Sequence, residues 1–426
     1  MIIAIEKILW GLATTLLLGS GIYFTIRLGF PQFKIKDLWK SVSEGKSGLN
    51  TLNLTLAAKI GVGSLAGTAL AIYIGGLGTI FWMWISAIIC AANTYSESYL
   101  SVINRKKDKD GTYYGGPPFY IENLLKNRTL AIIYAVIIIL AYVGGFLSIQ
   151  VNTISKVLID YININPLFIG IGIAIITSPI IIGGVNKISK ICDKIVPIMT
   201  IIYLSTSFFI ILINIGDSLT IIKNIVIDAF NFKSAITGTI STCLIGIQRG
   251  IFSNEAGIGT AAITSATTTE FNPQKQGYTQ IIGVYVATLV ICTTTAIIIS
   301  LAGYNHLNII DPNGIEITKF AYNYHLGTYG TITIILTIIL FALSTVITGY
   351  YYGEANLKYL INSKTSIKIL KILTITILIL ASVISSTTIW MIVDIFVAIL
   401  AIINVYSLFK LRNYIKKWSH CDILQL

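Results

Sequence analysis

Residues 249–260 read Arg-Gly-Ile-Phe-Ser-Asn-Glu-Ala-Gly-Ile-Gly-Thr, inside an apolar stretch, 235–268, long enough to cross a bilayer. Two opposite charges, a serine, an asparagine and three glycines stand where a plain membrane anchor would carry only hydrocarbon. A charge at the centre of a membrane helix costs roughly 2.5–3.5 kcal/mol, so such groups face water, a partner or a ligand. Broken backbone at that depth is tolerated only where it lines a cavity within the protein. A second interruption, Lys59-Ile-Gly-Val-Gly-Ser-Leu-Ala-Gly67, lies in the stretch 51–74. The chemistry is therefore noncovalent. Freed N–H groups at a half-helix N-terminus would bind a carboxylate, and freed carbonyls a cation. Gly63 and Gly67 also have the small-xxx-small spacing of close helix packing, which leaves packing alone as the other reading. Gly61, Gly63 and Ala66 match a dinucleotide fingerprint, but neither a strand nor a βαβ unit surrounds them.

Other polar side chains in apolar stretches could complete a site. Ser344 and Thr345 could bond to their own preceding turn, or join backbone carbonyls in an all-oxygen shell for Na⁺, a hard cation. Gln150 and Asn152 could link helices or meet a ligand. Lys59 suits an ion pair or a gate, and Glu97, Glu354 and Asp394 suit structural pairing. Arg249 and Glu255 are six residues apart, off the helical i+4 spacing unless the helix is broken. His306, His325 and His420 fall outside the apolar stretches, so neither a proton relay nor a metal cluster is expected. Five scattered cysteines have no metal spacing. Without a Walker A motif or a nucleophile–base constellation, ATP hydrolysis and enzyme chemistry are not expected.

The elements that must position these residues are helices. The chain of 426 residues is 55% hydrophobic and 11% charged, with a mean hydropathy of +0.81. Eleven spans are expected at 8–26, 51–74, 79–103, 130–159, 166–184, 188–213, 235–268, 277–302, 330–357, 370–386 and 388–409. An all-α polytopic membrane protein follows, with 1–426 as one transmembrane domain and no soluble domain. Of 30 Lys and Arg, 23 fall on the side holding 27–50, 104–129 and the C-terminal tail, and only Lys7, Lys223, Lys233 and Lys319 on the other. By the positive-inside rule the N-terminus lies outside and the C-terminus in the cytoplasm, in a cell membrane. The net charge of +12 thus marks topology and the lipid bilayer, not nucleic acid. The first span lacks a clean cleavage site and is expected to be retained. The Gly-Pro turn at 115–118 is expected to enter an interfacial helix. Asn53 and Asn127 match the glycosylation pattern by chance, at or near the cytoplasmic face.

The two interrupted spans each open a group of five, 51–214 and 234–412. An odd number of crossings sets the groups in opposite senses, an inverted repeat. Interrupted spans in corresponding positions of such halves mark a transporter's binding site. Residues 1–50 add a helix and a cytoplasmic loop in front, and 413–426 form a cytoplasmic tail.

The segments Gly61–Gly67, Gly78–Trp84, Gly115–Pro117, Gln150–Thr153, Arg249–Gly257, Ser344–Thr345, Tyr350–Glu354 and Asn404 resemble the alanine or glycine:cation symporter family of bacteria and archaea over nearly the whole length. The resemblance implies a LeuT-type inverted repeat with one extra N-terminal helix, and sodium-coupled uptake of a small neutral amino acid. It implies substrate contacts at Gly61, Val62, Gly63, Ser64, Gln150, Phe252, Asn254 and Gly349, and sodium held by carbonyls near Gly61 with Ser344 and Thr345. No cofactor beyond the coupling ion and no obligate protein partner is implied. The chain departs from the family's common Gly-Thr-Gly-Asn at Val62 and Ser64, and has Gly349 where Trp is frequent. The glycine implies a larger pocket, which would admit glutamine. A proton-coupled carrier and a non-transporting amino-acid sensor are the alternatives.

Overall fold

In the computed structural model the described residues are 2–230, 235–303, 314–384 and 387–415. The described residues are helical nearly throughout. The helices are α1 (Ile2–Arg27), α2 (Ile35–Ser43), α3 (Lys46–Lys59), α4 (Gly63–Gly75), α5 (Thr79–Asn104), α6 (Pro117–Asn123), α7 (Arg128–Ile162), α8 (Pro166–Ile182), α9 (Gly184–Ile213), α10 (Ile215–Ala229), α11 (Ala235–Asn254), α12 (Thr260–Ala266), α13 (Pro273–Leu301), α14 (Gly314–Leu360), α15 (Lys364–Ala381) and α16 (Thr387–Lys410). Lys106–Lys107 pairs antiparallel with Tyr113–Tyr114 in a short hairpin.

Each expected span overlaps helix among the described residues, but fewer qualify as crossings on their own. Among the described residues six helices are long and apolar enough to span a membrane, seven if α3 and α4, bent by 57° at their break, count as one. The others fall short for local reasons. The second half of α5 buries Asn93, Thr94, Ser96, Glu97 and Ser98, α8 has 17 residues, and α15 carries Lys364, Lys368 and Lys371.

Three connections differ from expectation. The segment 303–328 is helical from Gly314, and the chain turns at Gly327 (φ 57°, ψ −139°) within α14. Gly314, Ile317 and Ala321 recur at helical spacing on a buried face, and a Cβ on Gly314 would stand 2.0 Å from the Ala66 carbonyl. His325 therefore lies within a helix, its Nε2 3.4 Å from Ile298 O; His306 and His420 fall outside the described residues. The segment 214–234 contains α10. The helix expected at an interface after the Gly-Pro turn is instead buried, with Phe119, Tyr120 and Ile121 packed inward. Asn127, one of the chance glycosylation matches, caps α7 by accepting from Leu130 N–H at 2.9 Å.

α1 packs along α16 and α5, fixed where Asn93 Nδ2 donates to Leu17 O at 2.9 Å. α3 packs on α9 and α13, α11 and α12 on α5, and α14 on α7 and α9. Both breaks thus lie at the centre of the bundle. Its two ends differ: one gathers the basic segments 27–50 and 104–127 with the loop 267–275, and the opposite end holds α10 and the start of α14.

Backbone strain is spent at the second break. Gly259 has φ +106°, and a methyl there would meet Tyr134 OH at 2.2 Å and Pro117 Cγ at 2.5 Å. Gly259→Ala is expected to destabilise the protein by roughly 1–3 kcal/mol from the dihedral alone, and more through the clash. Thermal unfolding in detergent checks this; an unshifted midpoint would remove the strain argument.

Candidate functional site

The first break spans Ile60–Val62, between α3 and α4. Gln150 Oε1, from α7, accepts the Val62 N–H at 3.1 Å. On the same side, Ser344 Oγ lies 3.0 Å from Ala57 O. Thr345 Oγ1 lies 3.2 Å from Ala57 O and 3.4 Å from Ala58 O. Both hydroxyls also stand 2.9 Å from Phe341 O in their own helix. Five oxygens, three carbonyl and two hydroxyl, therefore converge beside the end of α3. A Cβ on Gly61 would be 2.5 Å from Thr345 Oγ1 and 3.4 Å from Gln150 Oε1, so glycine is what lets the break and these side chains touch.

The second break runs from Glu255 to Gly259, with positive φ at Glu255 (53°), Gly257 (82°) and Gly259 (106°). Asn254 folds back on it: Oδ1 accepts the Ala256 N–H at 2.9 Å, and Nδ2 donates to Thr288 Oγ1 at 3.0 Å. Tyr134 OH donates to Ile258 O at 2.7 Å. Asn404 Nδ2 reaches Gly257 O at 2.9 Å and Glu97 Oε2 at 2.6 Å, while Tyr120 OH donates to Asn404 Oδ1. The two breaks meet where Ser64 Oγ lies 2.9 Å from Ser253 Oγ.

Aromatic rings run beside the breaks from the Glu255 side toward the opposite end. Tyr142, Phe146, Phe252 and Trp390 stack in series with centroids 4.5, 4.9 and 5.1 Å apart. Beyond them Arg249 pairs with the buried Asp394 at 3.0 Å, its guanidinium 5.7 Å from the Phe252 ring centroid. Toward the basic end lies a second charged group. Tyr142 OH donates to Glu255 Oε1 at 2.6 Å, and Lys59 is buried between Glu255 and Glu97. Among the described residues, Lys59 Nζ, Glu97 Oε1 and Glu255 Oε2 have no hydrogen-bond partner. A cavity of about 260 Å³ at the basic end is lined by Ser47, Asn50, Asp110, Asn186 and Thr268. One of about 420 Å³ at the opposite end is lined by Tyr161, Glu316, Lys319 and Asn323. Gly61, Gln150, Phe252 and Thr345 line neither of these two cavities.

Of the residues singled out in the sequence, Gly61, Val62, Gly63, Ser64, Gln150, Phe252, Ser344 and Thr345 converge. The carbonyls that meet the two hydroxyls belong to Ala57 and Ala58, one turn before Gly61, whose own carbonyl accepts the Ser64 N–H at 3.1 Å. Gly63 lies against Phe252, where a Cβ would meet the ring at 3.2 Å, whereas Gly67 faces open space. The paired-glycine packing face is therefore not used at Gly67. Asn152 points away, donating to Ile384 O. Gly349 does not open the pocket, because Leu147 fills that room, 2.7 Å from where a Cβ would stand. Lys59 makes no salt bridge among the described residues, and Arg249 pairs with Asp394, not Glu255. Glu354 pairs with Lys358 at 3.0 Å. Ser253, Tyr142 and Thr288 were not foreseen. Only the position of Ser253 inside the broken segment signalled its role.

Two interrupted helices set face to face at the centre of a bundle of long apolar helices define a membrane transporter, not an enzyme. Comparison with known proteins agrees. The chain belongs to the sodium:alanine symporter family, whose profile matches residues 1–420. It is 35% identical over 413 residues to the amino-acid carrier protein AlsT of Bacillus subtilis, covering 95% of this chain and 88% of the relative. It is 36% identical over 421 residues to the probable sodium/glutamine symporter GlnT of the same organism, covering 96% and 87%. To the sodium/alanine symporter AgcS of Methanococcus maripaludis it is 32% identical over 430 residues, covering 96% and 94%.

Breaking a buried ion pair leaves one charge uncompensated, at about 3–5 kcal/mol. Arg249→Ala and Asp394→Ala are each expected to lower the thermal midpoint, and the double variant to lose much less than their sum. Additive losses would mean that the pair does not act as a unit.

Proposed function

We propose that the protein is a sodium-coupled symporter that takes up a small neutral amino acid by alternating access. The observation that carries this reading is the five-oxygen cluster beside the first break: Ala57 O, Ala58 O, Phe341 O, Ser344 Oγ and Thr345 Oγ1. A hard monovalent cation prefers such oxygens, and they join α3 to α14. Sodium there would draw the two helices together. The amino acid would occupy the space among Gly61, Gln150, Ser64, Phe252 and the second break. Its carboxylate would face unwound N–H groups and its side chain the Phe252 ring.

The inverted repeat of 51–214 and 234–412, in a LeuT-type arrangement with α1 added, accounts for the two breaks facing one another. The N-terminus would lie outside and the basic end in the cytoplasm. Phe252, Trp390 and the Arg249–Asp394 pair would then close the outer route, and Tyr142 with Glu255 the inner one. Leu147 against Gly349 favours a small substrate, alanine or glycine, over glutamine. Sodium entering at 100 mV supplies about 2.3 kcal/mol per charge, enough for roughly 40-fold accumulation without ATP. The unpartnered Lys59 ammonium favours a second reading, proton coupling, in which its charge takes the place of a coupling ion.

Uptake of labelled alanine into proteoliposomes should require an inward sodium gradient; equal uptake in choline would end the sodium reading, and a sharp pH optimum in its place would favour the proton. Ser344→Ala with Thr345→Ala should raise the sodium concentration for half-maximal uptake about tenfold, ~1.4 kcal/mol. An unchanged value would remove both hydroxyls as ligands. In a competition panel, glycine and alanine should displace the label and glutamine should not. Displacement by glutamine at similar concentration would show that Leu147 yields.

A further inference from the structure

At the basic end, α2 joins α1 to the first half-helix and exposes a face that the described residues do not cover. At 100° per residue, Asp37, Leu38, Ser41 and Val42 occupy one side of the helix. Leu38 and Ser41 are buried there, and α13 receives that side: Thr279 Oγ1 donates to Ser41 O at 3.4 Å and Asp37 bonds Tyr278. The remaining arc has two edges. Ile35 and Trp39, 78% and 71% exposed, form an apolar edge that Phe30 and Phe33, with rings 6.5 Å apart, extend. Lys36 and Lys40, one turn apart and exposed, form the adjoining cationic edge. The single acid of α2, Asp37, is turned inward, so the outer face carries only positive charge.

We propose that α2 docks on the bilayer through anionic phospholipids. Trp39, Ile35, Phe33 and Phe30 sit at the level of the acyl boundary, and Lys36 and Lys40 bind headgroup phosphates. An apolar edge beside a lysine edge is the geometry of an interfacial helix, and the cationic edge selects an anionic surface. The chemistry of the arc excludes water as its sole neighbour, since four large apolar side chains would stand exposed together.

The consequence reaches the transport site. Gly45 (φ +90°) separates α2 from α3 by a single turn, and α3 ends at the five-oxygen cluster. Lys275 Nζ holds the junction, donating to Glu44 O and pairing with Glu270 at 2.9 Å. Lipid bound to α2 therefore fixes the basic-side end of the half-helix whose buried end carries Ala57 and Ala58.

The test uses the full-length protein in vesicles whose phospholipids carry brominated acyl chains, a contact quencher of tryptophan. The Trp39 contribution is the difference between the native protein and Trp39→Phe. It is expected to be quenched about twofold more when the brominated lipid is phosphatidylglycerol than when it is phosphatidylcholine. Lys36→Gln with Lys40→Gln should abolish that preference while quenching persists. A Trp39 signal quenched by neither lipid would overturn the docking, and equal quenching by both would overturn the anionic assignment. The readout needs no transport, so it stands or fails apart from the symport reading; loss of dependence of uptake on phosphatidylglycerol in the double lysine variant would connect the two.

Discussion

Main-chain groups freed at the centre of a membrane protein have no water to turn to, and each must find a partner in the protein or its cargo. Both breaks are organised by that constraint. Val62 N–H is answered by Gln150 Oε1, Ile258 O by Tyr134, Gly257 O by Asn404 and Ala256 N–H by Asn254. The first break is also held from α4, where the Ser64 N–H reaches Gly61 O at 3.1 Å and Ser64 Oγ reaches Lys59 O at 3.1 Å. Residues of α7, α11 and α16 supply the other four partners, so anything that moves those helices must reopen the accounting at the breaks.

The cluster at Ala57 and Ala58 shows how such an exchange would work. As they stand, Ser344 and Thr345 lie within donating distance of carbonyls, which keeps the oxygens satisfied and the helices joined. A cation would take the carbonyl lone pairs and require the hydroxyls to present oxygen instead of hydrogen. Binding thus replaces one set of contacts by another at nearly the same geometry, and the change in free energy is the difference between them, not the sum of new bonds. The charged groups flanking the site differ in the same terms. Arg249 and Asp394 form a salt bridge at 3.0 Å, though Arg249 Nη1 and Asp394 Oδ1 have no partner of their own among the described residues. Lys59, Glu97 and Glu255 are buried with atoms left unpartnered, which is costly unless another arrangement of the half-helices satisfies them.

The breaks were legible in the sequence because glycine and polar residues inside apolar stretches are costly there unless the backbone or a ligand uses them. Ser344, Thr345 and Gln150 were legible for the same reason, each a polar group at hydrocarbon depth. Their partners were not. Asp394 is 145 positions from Arg249, and Asn404 is 147 from Gly257; local spacing carries no trace of such pairings. Gly349 misled because the space left by a missing side chain depends on the neighbour that fills it, here Leu147. α10 and the first part of α14 went unread because they are short and amphipathic, below the length at which apolar runs announce themselves. Lys59 suggested an ion pair on charge alone, whereas its position at the end of α3 sets its ammonium between two acids without contact to either.

In the proposed reading, cation and amino acid do not need to touch in order to depend on each other. Both would press on the single segment Ala57–Ser64: the cation through Ala57 O and Ala58 O, the amino acid through Gly61, Val62 and Ser64. A ligand that fixes one part of so short a segment lowers the ordering cost for the other, and thermodynamic linkage requires the benefit to be equal in both directions. Gly61 stands between the two, with Thr345 Oγ1 2.5 Å from where its side chain would begin. Its missing methyl is therefore what allows one segment to carry both contacts, and coupling rather than affinity is the property that glycine protects there.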